Sequence, residues 1–174
     1  DGNGFTIDLV TNSTYGLFAY NSDSFDDAPK VKSLGILNGT LHTTHCGYFC
    51  KSYQNNFIID SCYSTGDINN NFSGGIVGSY SNAGRYIIRN SYTTGDIIDR
   101  YSGGIVGSYN TGRTNNYSII ENCYSTGEVL NYYSGGIVGS NCDYVLVKNC
   151  FYNVKDQTLT SVTFRGGILG FNNM

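Results

Sequence analysis

The feature that most constrains this chain is a six-residue phrase that returns at a nearly fixed interval. Ser73-Gly74-Gly75-Ile76-Val77-Gly78 recurs from Ser102 to Gly107 and from Ser134 to Gly139. Looser copies are Gly166-Gly167-Ile168-Leu169-Gly170, Cys46-Gly47-Tyr48-Phe49-Cys50 and Gly16-Leu17-Phe18-Ala19-Tyr20. The marker glycines are Gly16, Gly47, Gly75, Gly104, Gly136 and Gly167, so the steps run from 28 to 32 residues. Periods of this size belong to stacked repeat architectures. The segments between are short, β-branched and bounded by Gly and Asn, which reads as strands and turns. The sequence therefore predicts an all-β parallel β-solenoid (a β-helix) of about six coils, forming one domain over 1–174.

In-register stacking can be checked column by column. Val31, Ile59, Ile88, Ile120 and Val147 align as an apolar ladder suited to the core. The next column is Lys32, Asp60, Arg89, Glu121 and Lys148, in which the sign alternates at every step. Neighbouring strands favour opposite charges and penalise like ones, so this ladder belongs on an outward face. Ser33, Ser61, Asn90, Asn122 and Asn149 follow, and stacked Asn side chains can hydrogen-bond from coil to coil where the chain turns a corner. Ser64-Thr65-Gly66-Asp67-Ile68 matches Thr93-Thr94-Gly95-Asp96-Ile97 and Ser125-Thr126-Gly127-Glu128-Val129.

Composition narrows the class further. Gly occurs 23 times without a strict triplet period, which excludes collagen, and 14% aromatic content is too rich for a linker. The net charge is −3 with no basic stripe, so nucleic acid is not an expected partner. No apolar run is long enough for a membrane-spanning helix. The chain starts at Asp1, and a targeting sequence is expected to lie outside it.

Tyr63-Ser64-Thr65-Gly66-Asp67-Ile68 followed by Ser73 to Gly78, and Tyr124 to Val129 followed by Ser134 to Gly139, resemble the GLUG repeat family. The resemblance runs from about Gly16 to Gly170, with three strong copies. It implies a β-solenoid segment of a large secreted or surface protein: an adhesin, a filamentous-haemagglutinin-like chain, or the non-catalytic part of certain immunoglobulin-A metallopeptidases. Reach, display and adhesion are the implied roles. No catalytic motif of those peptidases is present, so their activity does not carry over.

Catalytic signatures are missing from the sequence: there is no G-x-S-x-G, H-E-x-x-H or P-loop. His42, His45, Cys46 and Cys50 put two imidazoles and two thiols within nine residues, a donor set for tetrahedral zinc. The spacing is not that of a zinc finger, and an ordinary loop with structural cysteines is the preferred reading, with no cofactor. Asp67, Asp96 and Glu128 share a column that stacked carboxylates could use for calcium, although solvated turns explain them as well. Phe72, Tyr101 and Tyr133 form one aromatic column, and Tyr63, Tyr92, Tyr124 and Phe151 another. Ring stacking supports a solenoid without any ligand, while exposed rings would suit sugars.

Cysteine spacing separates Cys46, Cys50 and Cys62 at the front from Cys123, Cys142 and Cys150 at the back. Cys123 and Cys150 fall in adjacent coils and are the candidate disulfide, with one more bridge among the front three. Asn12, Asn38, Asn71 and Asn116 head N-x-S/T sequons and are glycosylation candidates at turns or outward positions. Strand-like sequence at both ends predicts head-to-tail self-association or continuation in a longer chain. The combined expectation is an extracellular or cell-surface, non-enzymatic structural or adhesive module, a subunit or segment of a filament, stalk or adhesin. The alternatives are a carbohydrate-binding module with an exposed Tyr ladder, or an accessory region of a larger secreted hydrolase.

Overall fold

The computed structural model describes residues 1–9, 13–14, 16–18, 25–41, 43–51, 56–79, 85–109, 117–153 and 167–170. Four-residue strands β6 (Phe57–Asp60), β8 (Tyr86–Arg89), β10 (Ser118–Glu121) and β12 (Val145–Lys148) follow the shorter β3 (Lys30–Lys32). They stack as a parallel five-stranded sheet in the order β12-β10-β8-β6-β3. A second parallel sheet stacks β1 (Thr6–Asp8), β4 (Gly35–Leu37), β7 (Tyr63–Ser64), β9 (Tyr92–Thr93), β11 (Tyr124–Ser125) and β13 (Phe151–Tyr152). β2 (Ser13–Thr14) pairs with β5 (Thr40–Leu41). Further in-register bridges join Ile68, Ile97 and Val129, then Gly47, Gly74, Gly103 and Gly135, then Phe18, Cys50, Val77, Val106, Val138 and Leu169.

This is an all-β parallel solenoid, and no helix occurs among the described residues. It makes about four turns, not six. One marker glycine per coil overcounts, because Gly16 and Gly167 belong to partial turns. Among the described residues the front one lacks a long strand, and the path from β13 to Gly167 crosses residues 154–166, outside those described.

The long strands alternate by two, as half-buried strands must. In β6, β8 and β10 the first and third residues are buried and the second and fourth are half-buried. Ile59, Ile88 and Ile120 are completely buried, and Val31 nearly so. Their register is the one the apolar column requires: Val31 against Ile59, Ile59 against Ile88, Ile88 against Ile120, Ile120 against Val147. Ile36, Ile68, Ile97, Ile76, Ile105 and Ile137 complete the interior.

After each long strand the chain turns through a left-handed residue: Ser33, Ser61, Asn90, Asn122 and Asn149 have φ between 48° and 56°. Asn tolerates this region better than other non-glycine residues. The Asn90 amide donates to Asp60 Oδ1 (3.0 Å), Asn122 to Asn90 (3.3 Å) and Asn149 to Asn122 (3.4 Å). The corner column is thus a continuous side-chain ladder. In three successive coils the path from long strand to marker glycine has the same length: Ile59 to Gly75, Ile88 to Gly104 and Ile120 to Gly136. Between these coils the variation in length falls in the connections after Ser79 and Ser108, while the last coil takes a longer path from Val147 to Gly167.

Candidate functional site

The repeated phrases meet across the interior. In β7 and β9 the inward residues are Ser64 and Thr93, both buried. The Ser64 hydroxyl donates to the Gly75 carbonyl (2.6 Å), and Thr93 donates to the Gly104 carbonyl (2.9 Å). A Cβ on Gly75 would overlap the Gly104 carbonyl oxygen and the Thr93 side chain, and one on Gly104 would overlap the Gly136 oxygen and Ser125. At Gly75 and Gly104 the two walls approach so closely that glycine faces a small hydroxyl residue. The solenoid is pinched, and the two repeated phrases are its two sides. Ser125 stands at the same position in the next coil, buried, with no hydrogen-bond partner for its hydroxyl among the described residues. Tyr152, the next residue in that column, lies against Gly136.

Two aromatic ladders lie outside the pinch. Tyr63, Tyr92 and Tyr124 stack with centroids 4.8 and 4.7 Å apart and planes within 4°. Phe151 continues that column in register and is 62% exposed. The second ladder is longer than the sequence suggested. His45 stacks on Phe72 at 4.8 Å, Phe72 on Tyr101 at 4.7 Å, and Tyr101 on Tyr133 at 4.8 Å. All four are left-handed, with φ from 57° to 68°. Such φ values cost free energy for bulky residues, and here the stack and the inter-coil hydrogen bonds hold them in place. Burial lowers the His45 pKa, outweighing a bond to Thr44 that raises it.

Stacking changes what these rings can do. Each interior ring has a neighbour on both faces, so the ladders show edges and hydroxyls to solvent. Sugar recognition by aromatic side chains uses ring faces, which the stacks occupy.

The candidate metal donors occupy separate places. His45 heads the aromatic ladder, and its Nδ1 lies 2.9 Å from the Thr44 hydroxyl. Cys46 and Cys50 are buried in the core, and His42 lies outside the described residues. Among the described residues no three His, Cys, Asp or Glu side chains gather as a metal site would require. The spacing of His45 from Phe72, close to one coil, was the overlooked signal.

The carboxylate column has a structural use. Asp67 Oδ1 accepts the Asp96 amide and Asp96 Oδ1 accepts the Glu128 amide, each at 2.9 Å. The charge ladder stacks in the predicted register, and its Asp60–Arg89 pair closes at 2.9 Å. Desolvation opposes the Asp60 charge, but bonds from Asn90, Ser61 and Arg89, with the Arg89 charge, hold its pKa below the ordinary value.

The predicted disulfide is not formed, and all six cysteines are thiols. Cys123 and Cys150 do occupy adjacent coils. In-register stacking points both side chains the same way, whereas a disulfide needs them to converge. The thiols instead donate to backbone carbonyls, Cys123 to Glu121 (3.2 Å) and Cys150 to Lys148 (3.2 Å). The interaction between the two neighbouring thiols lowers the pKa of Cys150, and that interaction together with burial raises that of Cys123. At the front no bridge joins Cys46, Cys50 and Cys62; burial, then the neighbouring Cys62, raises Cys50 to about 12.

Of the sequons, Asn38 and Thr40 are both exposed. Asn71 is half-buried and accepts the Arg100 amide (3.2 Å). Its partner Ser73 is buried, accepting the Cys46 amide (3.2 Å) and donating to the Asn71 carbonyl (3.3 Å). Asn12 and Asn116 lie outside the described residues. An open cleft of about 280 Å³ at the front end is lined by Asp1, Gly2, Phe18, Lys30, Val31 and Leu34.

Comparison with known families bears on the stretch from the third coil's glycine phrase to the fourth coil's β11. The family model described as "The GLUG motif" matches residues 99–130. Residues 99–130 are thus similar to the GLUG motif. It begins just before one Ser-Gly-Gly-Ile-Val-Gly phrase and ends just after the next Ser-Thr-Gly-Glu-Val, so its two halves are the two sides of the pinch in successive coils. The coils on either side of the GLUG motif share its register through every bridged column. Neither a curated protein nor a solved structure matched the chain.

Proposed function

We propose that this chain is a non-catalytic structural module of an extracellular or cell-surface assembly, serving as a subunit or segment of a filament, stalk or adhesin shaft. The observation that carries the reading is that its polar chemistry repeats and is spent on inter-coil bonds. Carboxylates cap the amides of the next coil, corner asparagines form a ladder, and inward hydroxyls close the pinch. An active site needs a group that departs from its column, and these groups stay in theirs. The GLUG motif and the β-solenoid fold are compatible with an extracellular structural role.

End-to-end stacking of copies, or continuation within a longer chain, belongs to the same proposal. Residues of β12 that correspond to buried positions in β10 are only half-buried, and Leu146 and Leu169 are 40% and 49% exposed. Apolar strand at that end is suited to meet more strand. Electron microscopy of dilute, unfixed material is the test. Fibres one solenoid wide support the reading, and single short particles at every concentration oppose stacking.

The second reading is a glycan-binding module, or an accessory region of a secreted hydrolase that grips polysaccharide. The exposed Phe151 ring favours it, while the occupied faces of the interior rings oppose it. Glycan binding that disappears in Tyr101→Ala/Tyr133→Ala, with the fold retained, would move this reading ahead.

A further inference from the structure

The outward face of the long-strand sheet carries two parallel columns that the ladders described above leave uncovered. One is aliphatic: Ile58, Ile87, Ile119 and Leu146 stand in register on β6, β8, β10 and β12, preceded by Lys30 on β3. The other is the charge ladder, two residues further along each strand. All are outward, at the non-core positions of their strands. A water-facing sheet in a parallel solenoid has no need of four stacked aliphatics.

We propose that this face packs against the same face of a second copy of the chain, about a two-fold axis lying between the sheets along the strand direction. Such an axis keeps each column opposite its own counterpart and reverses the order of the coils. With the axis between β8 and β10, Ile87 faces the partner's Ile119 and Ile58 faces the partner's Leu146. The aliphatic columns then overlap completely, and Lys30 falls outside the overlap. The charge ladder decides the register. In the same arrangement Asp60 meets the partner's Lys148 and Arg89 meets the partner's Glu121, so every charge in the overlap faces its opposite. Placing the axis through β8 instead would set like charges against each other at every coil. Sheets packed in this aligned way lie about 10 Å apart, a separation that interdigitating Ile and Leu side chains fill. The two solenoids would lie side by side and antiparallel, a contact separate from end-to-end stacking.

The patch is small. Four strands at ~4.8 Å spacing and about 13 Å of strand give roughly 250 Å² per copy. This belongs with weak associations, so half-dissociation is expected at roughly 0.1–1 mM. Sedimentation velocity and light scattering of the chain over this range should show a discrete dimer. Ile87→Lys should weaken it at least tenfold with an unchanged circular dichroism spectrum.

A charge exchange tests the register. Lys148→Glu alone and Asp60→Lys alone each put like charges across the interface, and each should be monomeric. Mixed together, the two variants face opposite charges again and should form a heterodimer. A chain that stays monomeric to about 1 mM overturns the proposal. So does a failure of the two folded variants to pair on mixing. Open-ended polymers whose growth Ile87→Lys does not alter would also overturn it, in favour of stacking alone. If Asp60→Lys unfolds through loss of its Arg89 partner, Glu121→Lys replaces it. That variant sets like charge against Arg89 and should abolish the dimer; an unchanged dimer overturns the register.

Discussion

Gly104 shows how much one residue carries in this fold. Gly75, Gly104 and Gly136 matter here for lack of space, since a side chain would run into the carbonyl of the next coil. Gly104→Ala should lower stability by about 3 kcal/mol, the upper part of the range for overpacked interiors. Ser64→Ala, which strands the Gly75 carbonyl, should cost about 1–2 kcal/mol. Urea denaturation of both variants would check the order, and Gly104→Ala being the milder would contradict the pinch. At the corner, Asn122→Ala should cost about 1–2 kcal/mol by losing the tolerance of Asn for left-handed backbone and removing two ladder bonds. Asn122→Gly should recover the backbone part of that loss, because glycine adopts this φ freely. Equal losses for the two would show that the side-chain ladder alone matters.

At the scale of the element, columns matter more than individual strands. β7, β9, β11 and β13 are two residues long and would not survive alone; β7, β9 and β11 are held by in-register strands on both sides, and β13 by β11. The pH response of the His45–Phe72–Tyr101–Tyr133 ladder follows from its first ring. His45 has a folded pKa below its unfolded value near 6.5, so its contribution is fully present above pH ~6.5 and is lost as pH falls towards the folded value. Asp60 is depressed relative to 3.8, so its contribution is present above that value and is lost at still lower pH. Thermal melts should therefore show a first decline in Tm below about pH 6.5, and His45→Phe should remove that step while keeping the stack. A variant with the native pH profile would show that His45 is not the group responsible.

The columns were legible in the sequence because strand period and repeat period are both visible in a single chain. The apolar, charged and Asn ladders, and both Tyr columns, stand in the structure with the register read from the residues. The pinch was harder to see. Its partners are eleven residues apart in sequence and meet across the interior, so no column contains them both. His45 was left out of the aromatic column because its column partner is Phe, and proximity to Cys46 and Cys50 drew it into a weak metal candidate beside the preferred loop reading. The Ile58–Leu146 column escaped notice because adjacent Ile residues, as at Ile58-Ile59, hide which of the pair faces inward.

Taken as a whole molecule, the solenoid divides its length unequally between what is fixed and what is free. From β6, β8 and β10 the path through the pinch keeps a constant count, while the connection after Ser79, Ser108 or Ser140 changes from coil to coil and leaves every ladder in register. A peptide of about ten residues spliced between Tyr109 and Tyr117 should therefore leave the melting transition within about 0.6 kcal/mol of the parent, the scale of a modest loop extension. The same peptide spliced between Thr65 and Gly66 should prevent folding. This would make the scaffold a tape with evenly spaced docking points for foreign sequence, each offset from the next by one strand spacing along the axis, so that epitopes or enzymes grafted there would be held at intervals set by the backbone itself.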